Sequence, residues 1–273
     1  MTDRYAVIGN PVAHSKSPRI HAEFARQTGE DIAYEKLHAE LAEFEAAVQR
    51  FGDEGGRGLN VTVPFKHRAH ALASRSSVRA EQAGAVNTLA FGADGIAGDN
   101  TDGVGLVRDL TVNLGCEIAG RRVLLVGAGG ASFGVCGPLL DRQPACLVIA
   151  NRTVEKAVAL AQRFAGYYPG ADLIGIGYDA LGGRAFDVVI NATSAGLSGE
   201  MPALGKTVFA RGALAYDMVY GRATPFLELA ADAGARTADG LGMLVEQAAE
   251  SFFVWRGVRP DTAPVIALLR SGG

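Results

Sequence analysis

Residues 123–132 read V-L-L-V-G-A-G-G-A-S, a string that leaves a chain few ways to fold. The run Val123-Leu124-Leu125-Val126 has the unbroken apolar character of a strand buried on both faces, as in a parallel sheet. Gly127 and Gly129 then turn the chain tightly into a helix, and the stretch Gly127-Ala128-Gly129-Gly130-Ala131 is small throughout. That geometry aims main-chain N–H groups and a helix N-terminus at one point, a setting that suits a pyrophosphate. The third small position of the fingerprint is Ser132. A glycine turn taken alone also fits an ordinary strand–helix junction with no ligand.

The next apolar run, residues 146–150, is expected to be the second strand of the same unit. Its end is where an NAD enzyme carries an Asp or Glu for the ribose 2′-OH. Here the chain reads Asn151-Arg152-Thr153, with Lys156 a turn further on. An arginine at that place favours a 2′-phosphate, and no acid is present to repel it. The cofactor expected from these residues is NADP(H).

A chain of 273 residues suffices for one large domain or two medium ones, each with a full core. Hydrophobic content of 48% with 20% charged residues describes a soluble globular protein, and a net charge of −3 gives no reason to expect nucleic acid or an anionic membrane as partner. There is no long apolar stretch of membrane-spanning length, and M-T-D-R-Y does not read as a secretory leader. Cys116, Cys136 and Cys146 are odd in number and include no C-x-x-C pair. Reduced thiols in a cytoplasm fit them best, and no metal site is expected.

The first third alternates strand and helix. Residues 5–8 form a strand, and Ser17-Pro18 starts a helix with Ser as N-cap and Pro at N1. Residues 33–37 are a second strand, and Leu41, Phe44, Val48 and Phe51 mark the apolar face of a helix. Residues 58–63 are a third strand stopped by Pro64; two short helices come next, then a strand over 86–91. A helix from Asp102, with Val104, Val107 and Leu110 on one side, reads as a connector. Strands near Val123, Leu147, Ile174, Val188 and Ala215 form the nucleotide-binding unit. Residues 241–255 are a long amphipathic helix and 263–269 a shorter one.

Two polar clusters stand at strand ends in the first part. In N-V-T-V-P-F-K, Asn60 and Thr62 are two apart and share a strand face. Lys66 lies just past that strand's carboxyl end, where open α/β sheets bind ligands. The other cluster, G-D-N-T-D-G, carries Asp102. A carbonyl reduced by hydride takes up a proton, and Lys66 can supply it with Asp102 holding it oriented and charged. The alternative is a surface lysine and an N-cap aspartate. No lysine has a Tyr four residues before it, so the Tyr-x-x-x-Lys arrangement is absent, and no Cys/His set suits a catalytic zinc. Ser15 and Ser17, in P-V-A-H-S-K-S-P, place two hydroxyls at a helix N-terminus and so make a small carboxylate site; Ser17 as a plain cap is the alternative. Asn87 and Gln247 are amides that both donate and accept, which suits a substrate with several hydroxyls, though either also reads as a structural amide. His14, His21, His67 and His70 read as structural or surface residues.

These motifs together resemble the shikimate dehydrogenase family. G-N-P-V-A-H-S-K-S-P, N-V-T-V-P-F-K, G-A-V-N-T-L, G-D-N-T-D-G-V-G, G-A-G-G-A-S, N-R-T, N-A-T-S-A-G-L, Y-D-M-V-Y and G-L-G-M-L-V-E-Q-A-A run in the family's order from Gly9 to Ala249. The resemblance implies NADPH-dependent reduction of 3-dehydroshikimate to shikimate in aromatic amino-acid biosynthesis. It implies an α/β fold of two domains: an N-terminal open α/β sandwich with a mainly parallel sheet, and a Rossmann-like nucleotide-binding domain. Residues 1–102 plus 241–273 would bind substrate and 103–240 would bind NADP. Ser15 and Ser17 would hold the substrate carboxylate. Asn60, Thr62, Asn87, Asp102 and Gln247 would contact the ring hydroxyls, and Lys66 with Asp102 would be the catalytic pair. Tyr220 would line the junction of the two sites. Asn151, Arg152, Thr153 and Lys156 match the 2′-phosphate grip, with Lys156 standing where relatives often carry Arg. Met218, Gly240 and Met243 would come near the nicotinamide. Phe133 stands where small or basic residues are frequent. The partners implied are the small-molecule substrate alone, in a cytoplasmic monomer or homodimer. A quinate/shikimate dehydrogenase that accepts NAD, and a non-catalytic sensor on the same fold, are the alternatives.

Overall fold

In a computed structural model, which describes residues 2–193 and 201–272, the chain divides into two compact units. The first comprises Met1–Gly105 with Leu244–Gly273, and the second Leu106–Met243.

The first unit is built on a six-stranded sheet. Its strands are β1 (Asp3–Gly9), β2 (Ile32–His38), β3 (Gly56–Val61), β4 (Arg75–Ser76), β5 (Thr88–Gly92) and β6 (Gly95–Asp99), in the order β2-β1-β3-β5-β6-β4. β1 pairs parallel with β2 and β3, and β4 with β6, whereas β5 runs antiparallel to both neighbours. The sequence reading missed β4 and β6: two residues and the small, glycine-flanked G-I-A-G-D carry too little apolar periodicity. The strand expected over 86–91 is Thr88–Gly92, so Asn87 stands just before it.

Apolar side chains cover both faces of this sheet. On one, α2 (Phe44–Asp53) and α3 (Lys66–Leu72) pack Phe44, Val48, Phe51, Phe65 and Ala69 against Ile8, Leu59, Val61 and Leu89. Leu41, expected on that helix face, precedes α2 and is 59% exposed. An aromatic cluster involves α1 (Ser17–Thr28) and α9 (Leu241–Arg256). There the His21 ring stacks on Tyr34 with centroids 4.2 Å apart, beside Phe24, Phe252 and Trp255. Ser17 is the first residue of α1 and Lys16 its cap, with no side-chain capping bond; the expected Ser17 cap is thereby corrected, because the hydroxyl turns to Ser15.

His21 is fully buried, and neither ring nitrogen has a hydrogen-bond partner. Burial pushes its pKa down to about 3, with the Asn60 side chain pulling weakly the other way. Above the ordinary histidine range neither the folded nor the unfolded chain protonates this ring. Between that range and about 3 only the unfolded chain does, so stability falls as pH falls, by up to about 1.4 kcal/mol per pH unit. His21→Phe is expected to flatten that acid limb in denaturant titrations at pH 7 and at pH of about 5. Parallel limbs for the two proteins would mean that His21 is not the group responsible.

The second unit holds β7 (Arg122–Val126), β8 (Cys146–Ala150), β9 (Leu173–Ile176), β10 (Phe186–Asn191), β11 (Phe209–Asp217) and β12 (Arg236–Asp239). Every pairing is parallel, in the order β12-β11-β10-β7-β8-β9. This is the doubly wound Rossmann order, with the reversal point between β7 and β10. Leu124 and Val126 face one core, Val123 and Leu125 the other, which explains why β7 is apolar at consecutive positions. The flanking helices are α6 (Gly130–Leu140), α7 (Val154–Ala165) and α8 (Pro225–Asp232). The edge strand β12, R-T-A-D, was not expected because its side chains are largely polar. Phe133 of α6 lies under the Arg163 guanidinium of α7.

Two helices carry the chain from one unit to the other: α5 (Asp102–Arg108), which continues into a π-helical turn at Asp109–Asn113, and α9. Asp109 is buried and accepts a 2.6 Å hydrogen bond from the Tyr216 hydroxyl, which itself accepts from the Met243 N–H. The short helices α4 (Val78–Ala83) and α10 (Ala263–Ser271) complete the first unit. No helix among the described residues is long and apolar enough to cross a membrane.

Candidate active site

Lys66 is the first residue of α3, placed there because Pro64 ends the extended chain after β3. Its Nζ donates to Asp102 Oδ2 at 2.6 Å, and the two side chains are 27% and 11% exposed. Asp102 opens α5, and its main-chain N–H donates to the Asn100 side chain. Its second oxygen, Oδ1, accepts from Asn87 Nδ2 at 2.9 Å. Asp102 is thus fixed on both oxygens, and Lys66 retains N–H bonds beyond the one it gives to Asp102. A lysine held this way can hand a proton to an oxygen brought beside it.

Amides and hydroxyls surround that pair. Asn87 is 3% exposed, and its second N–H lies between Thr101 Oγ1 at 2.9 Å and Gln247 Oε1 at 3.3 Å. Gln247, from α9, gives its own N–H to the Leu244 carbonyl. Asn60, near the end of β3, is 6% exposed and lies in the same network through Asn87 and Thr88. Thr62 falls one residue beyond β3 and is half-buried, its main-chain N–H bonded to the Ile8 carbonyl. Ser15 donates to Ser17 Oγ at 3.1 Å and accepts from the Ser17 N–H. Of the substrate-site residues expected from the sequence, Lys66, Asp102, Asn87 and Gln247 form one connected cluster, with Asn60 joined to it. Ser15 and Ser17 stand together at the start of α1. Thr88, Thr101 and Ser251 were not expected. Ser251 comes four residues after Gln247, on the same helix face, and that spacing was the available signal.

In the second unit, a cavity of about 580 Å³ opens at the carboxyl ends of β7 and β8. Gly127, Ala128, Gly129, Gly130, Ala131, Asn151, Arg152, Thr153 and Lys156 all line it. Gly127 has φ +107°, which side chains rarely adopt, and its N–H bonds to the Ala150 carbonyl. Ser132 is fully buried and donates to the Gly127 carbonyl at 2.9 Å. The third small position therefore ties the turn to the first round of α6. The opening N–H groups of α6 have no partner within the helix and remain available to a phosphate. Asn151 braces the next turn by donating to the Thr153 carbonyl. Arg152 and Lys156 are exposed and have no carboxylate partner among the described residues. Free N–H groups and two unneutralised cations fit the pyrophosphate and 2′-phosphate of NADP. Tyr178, two residues past β9, and Thr193, two past β10, also line this cavity and were not anticipated, although strand ends are where such ligands sit. Burial pushes the Tyr178 phenol above its ordinary range, with the Arg152 charge opposing.

Met218, Tyr220, Gly240 and Met243 do not line that cavity; they gather past the ends of β11 and β12. Asp217 is fully buried and holds this loop by accepting from Asn191, the Val219 N–H and Thr224. The Gly240 N–H bonds to the Val219 carbonyl, and a Cβ at Gly240 would run into the Met218 main chain. Burial raises the Tyr220 pKa above its usual range. In N-A-T-S-A-G-L, the residues from Ser194 onward lie outside the described residues.

Residues 7–89 match the family described as Shikimate dehydrogenase substrate binding domain, residues 110–198 Shikimate / quinate 5-dehydrogenase, and residues 240–270 Shikimate 5′-dehydrogenase C-terminal domain. The shikimate dehydrogenase (NADP(+)) of Nitrosospira multiformis is 60% identical over 99% of this chain and 98% of its own length. The protein of the same name from Aromatoleum aromaticum is 61% identical over 98% and 97%. The chain belongs to the shikimate dehydrogenase family. Among solved structures, the Ael1 enzyme of Pseudomonas putida superposes with a TM-score of 0.94 at 50% identity, covering 98% of each chain. Shikimate 5-dehydrogenase of Thermus thermophilus, solved in complex with NADP(H) and shikimate, gives 0.88 at 31% identity and covers 99% of each.

Proposed function

We infer that this chain reduces 3-dehydroshikimate reversibly to shikimate with NADPH, the reaction of the shikimate pathway toward aromatic amino acids. The observation that carries the reading is the 2.6 Å contact between Lys66 and Asp102 in a ring of amides, within a member of this family. NADPH supplies the hydride when bound. Lys66 gives its proton to the carbonyl oxygen as that oxygen becomes an alcohol, and in the oxidative direction takes it back. Asp102 keeps Lys66 aimed, and contacts a ring hydroxyl. Ser15 and Ser17 hold the substrate carboxylate, while Asn60, Thr62, Asn87, Tyr220 and Gln247 bind the ring. The turn over Gly127–Ala131 cradles the pyrophosphate, and Asn151, Arg152, Thr153 and Lys156 take the 2′-phosphate. Met218, Gly240 and Met243 flank the nicotinamide. In this reading residues 1–102 plus 241–273 serve the substrate and 103–240 the dinucleotide. Three free cysteines support placing the protein in the cytoplasm, as a monomer or homodimer.

The test is a coupled assay of the purified protein across shikimate, quinate, NADP+ and NAD+. Shikimate-dependent NADP+ reduction at alkaline pH is the expected result, faster than either reaction with NAD+. No shikimate-dependent reduction would sink the reading, and a preference for quinate with NAD+ would move the chain to the family's other activity.

A further inference from the structure

We infer that Tyr34 and Ser251 are positioning residues that hold the Asn60 amide from opposite ends, in the one orientation that leaves an oxygen lone pair for substrate. The inference rests on Asn60 belonging to the substrate site.

The Tyr34 hydroxyl donates to Asn60 Oδ1 at 2.7 Å. At the other end, Asn60 Nδ2 donates to Ser251 Oγ at 2.9 Å, and lies 3.3 Å from both the Asn87 carbonyl and Thr88 Oγ1. The Asn87 carbonyl oxygen can only accept, so the amide nitrogen must face it. The amide cannot flip without setting two oxygens against each other. Its two N–H bonds are then committed among three acceptors, and its oxygen has used one of two acceptor positions. What Asn60 can offer a ligand is a single acceptor, which selects a hydroxyl that donates.

Both flanking hydroxyls are themselves constrained. Ser251 is fully buried, gives its proton to the Gln247 carbonyl at 3.0 Å, and lies 2.7 and 3.2 Å from Thr88 and Thr101. With that proton spent, Ser251 Oγ faces Asn60 as an acceptor. Tyr34 stacks on His21. Burial pushes its pKa well above the ordinary phenol value, although the Ser17 hydroxyl opposes this. Tyr34 therefore keeps its proton and donates it to Asn60. It touches both Asn60 and Ser17, and so joins the amide to the paired serines at the start of α1.

Tyr34→Phe removes only the hydroxyl and keeps the stack. It is expected to raise the KM for shikimate about three- to tenfold, the worth of one neutral hydrogen bond, with kcat and the KM for NADP+ within about twofold of the parent. Ser251→Ala should act in the same direction, and it carries the test if the tyrosine variant does not fold. In an Asn60→Ala background either substitution should have no further effect on the shikimate KM. A lowered melting temperature with an unchanged shikimate KM, or an effect that persists without the Asn60 amide, would overturn the inference. If Asn60→Ala alone leaves the shikimate KM unchanged, the placement of Asn60 in the site fails, and the inference with it.

Discussion

Replacing Lys66 with methionine is expected to lower kcat about 10²–10⁴-fold, the usual cost of losing a general acid, while the KM for NADPH stays within about twofold. That range corresponds to about 3–5.5 kcal/mol of barrier. Methionine keeps the unbranched chain to within one atom of its length but has no proton to give. Asp102 loses one donor and keeps Asn87, so its carboxylate remains hydrogen-bonded and the strand ends that carry it need not rearrange. Steady-state rates in both directions measure the effect. If NADPH affinity fell in parallel with turnover, Lys66 would be a structural residue and the proton donor would have to be sought elsewhere.

The second large effect concerns cofactor choice. Arg152→Ala is expected to raise the KM for NADPH about ten- to a hundredfold and to leave that for NADH nearly unchanged. A charge-assisted hydrogen bond is worth about 1.5–3 kcal/mol, and a guanidinium meets a phosphate in a fixed fork. Arg152 is solvent-exposed, so salt will reduce the effect, and Lys156 one turn on supplies a residual cation. Comparing both cofactors at two ionic strengths reads both points. An unchanged NADPH KM would remove the 2′-phosphate argument and make Lys156 or Tyr178 the discriminating contact.

The strands of the second unit were legible because β7, β8, β10 and β11 are apolar runs bounded by turn residues, and β7 leads into a turn that only glycine adopts easily. The small edge strands β4, β6 and β12 were not, since short or polar segments owe their pairing to neighbours and not to their own pattern. Lys66 and Asp102 could be nominated as a pair from chemistry, because strand ends of an open sheet converge. The residues behind them could not. Tyr34 and Ser251 lie 26 and 191 positions from Asn60, and no local rule links a phenol on an edge strand to an amide two strands away. The Ser17 cap failed for a related reason: propensity at a helix start gave way to a hydroxyl partner, Ser15, two residues back.

The widened turn at Asp109–Asn113 gives this stretch a peculiar genetic arithmetic. A π-helical turn holds one residue more than an α-turn, so a single-codon deletion there can heal into regular helix instead of breaking it. Because the wide turn absorbs its extra residue, the helix on either side of it keeps its facing after such a deletion. Asp109 and Leu114, one wide turn apart through the Leu114 N–H on the Asp109 carbonyl at 3.0 Å, would then be one ordinary turn apart. The surplus residue is thereby dispensable to helix register, and single-residue deletions among descendants of this sequence should be tolerated better here than in the regular helix just before it.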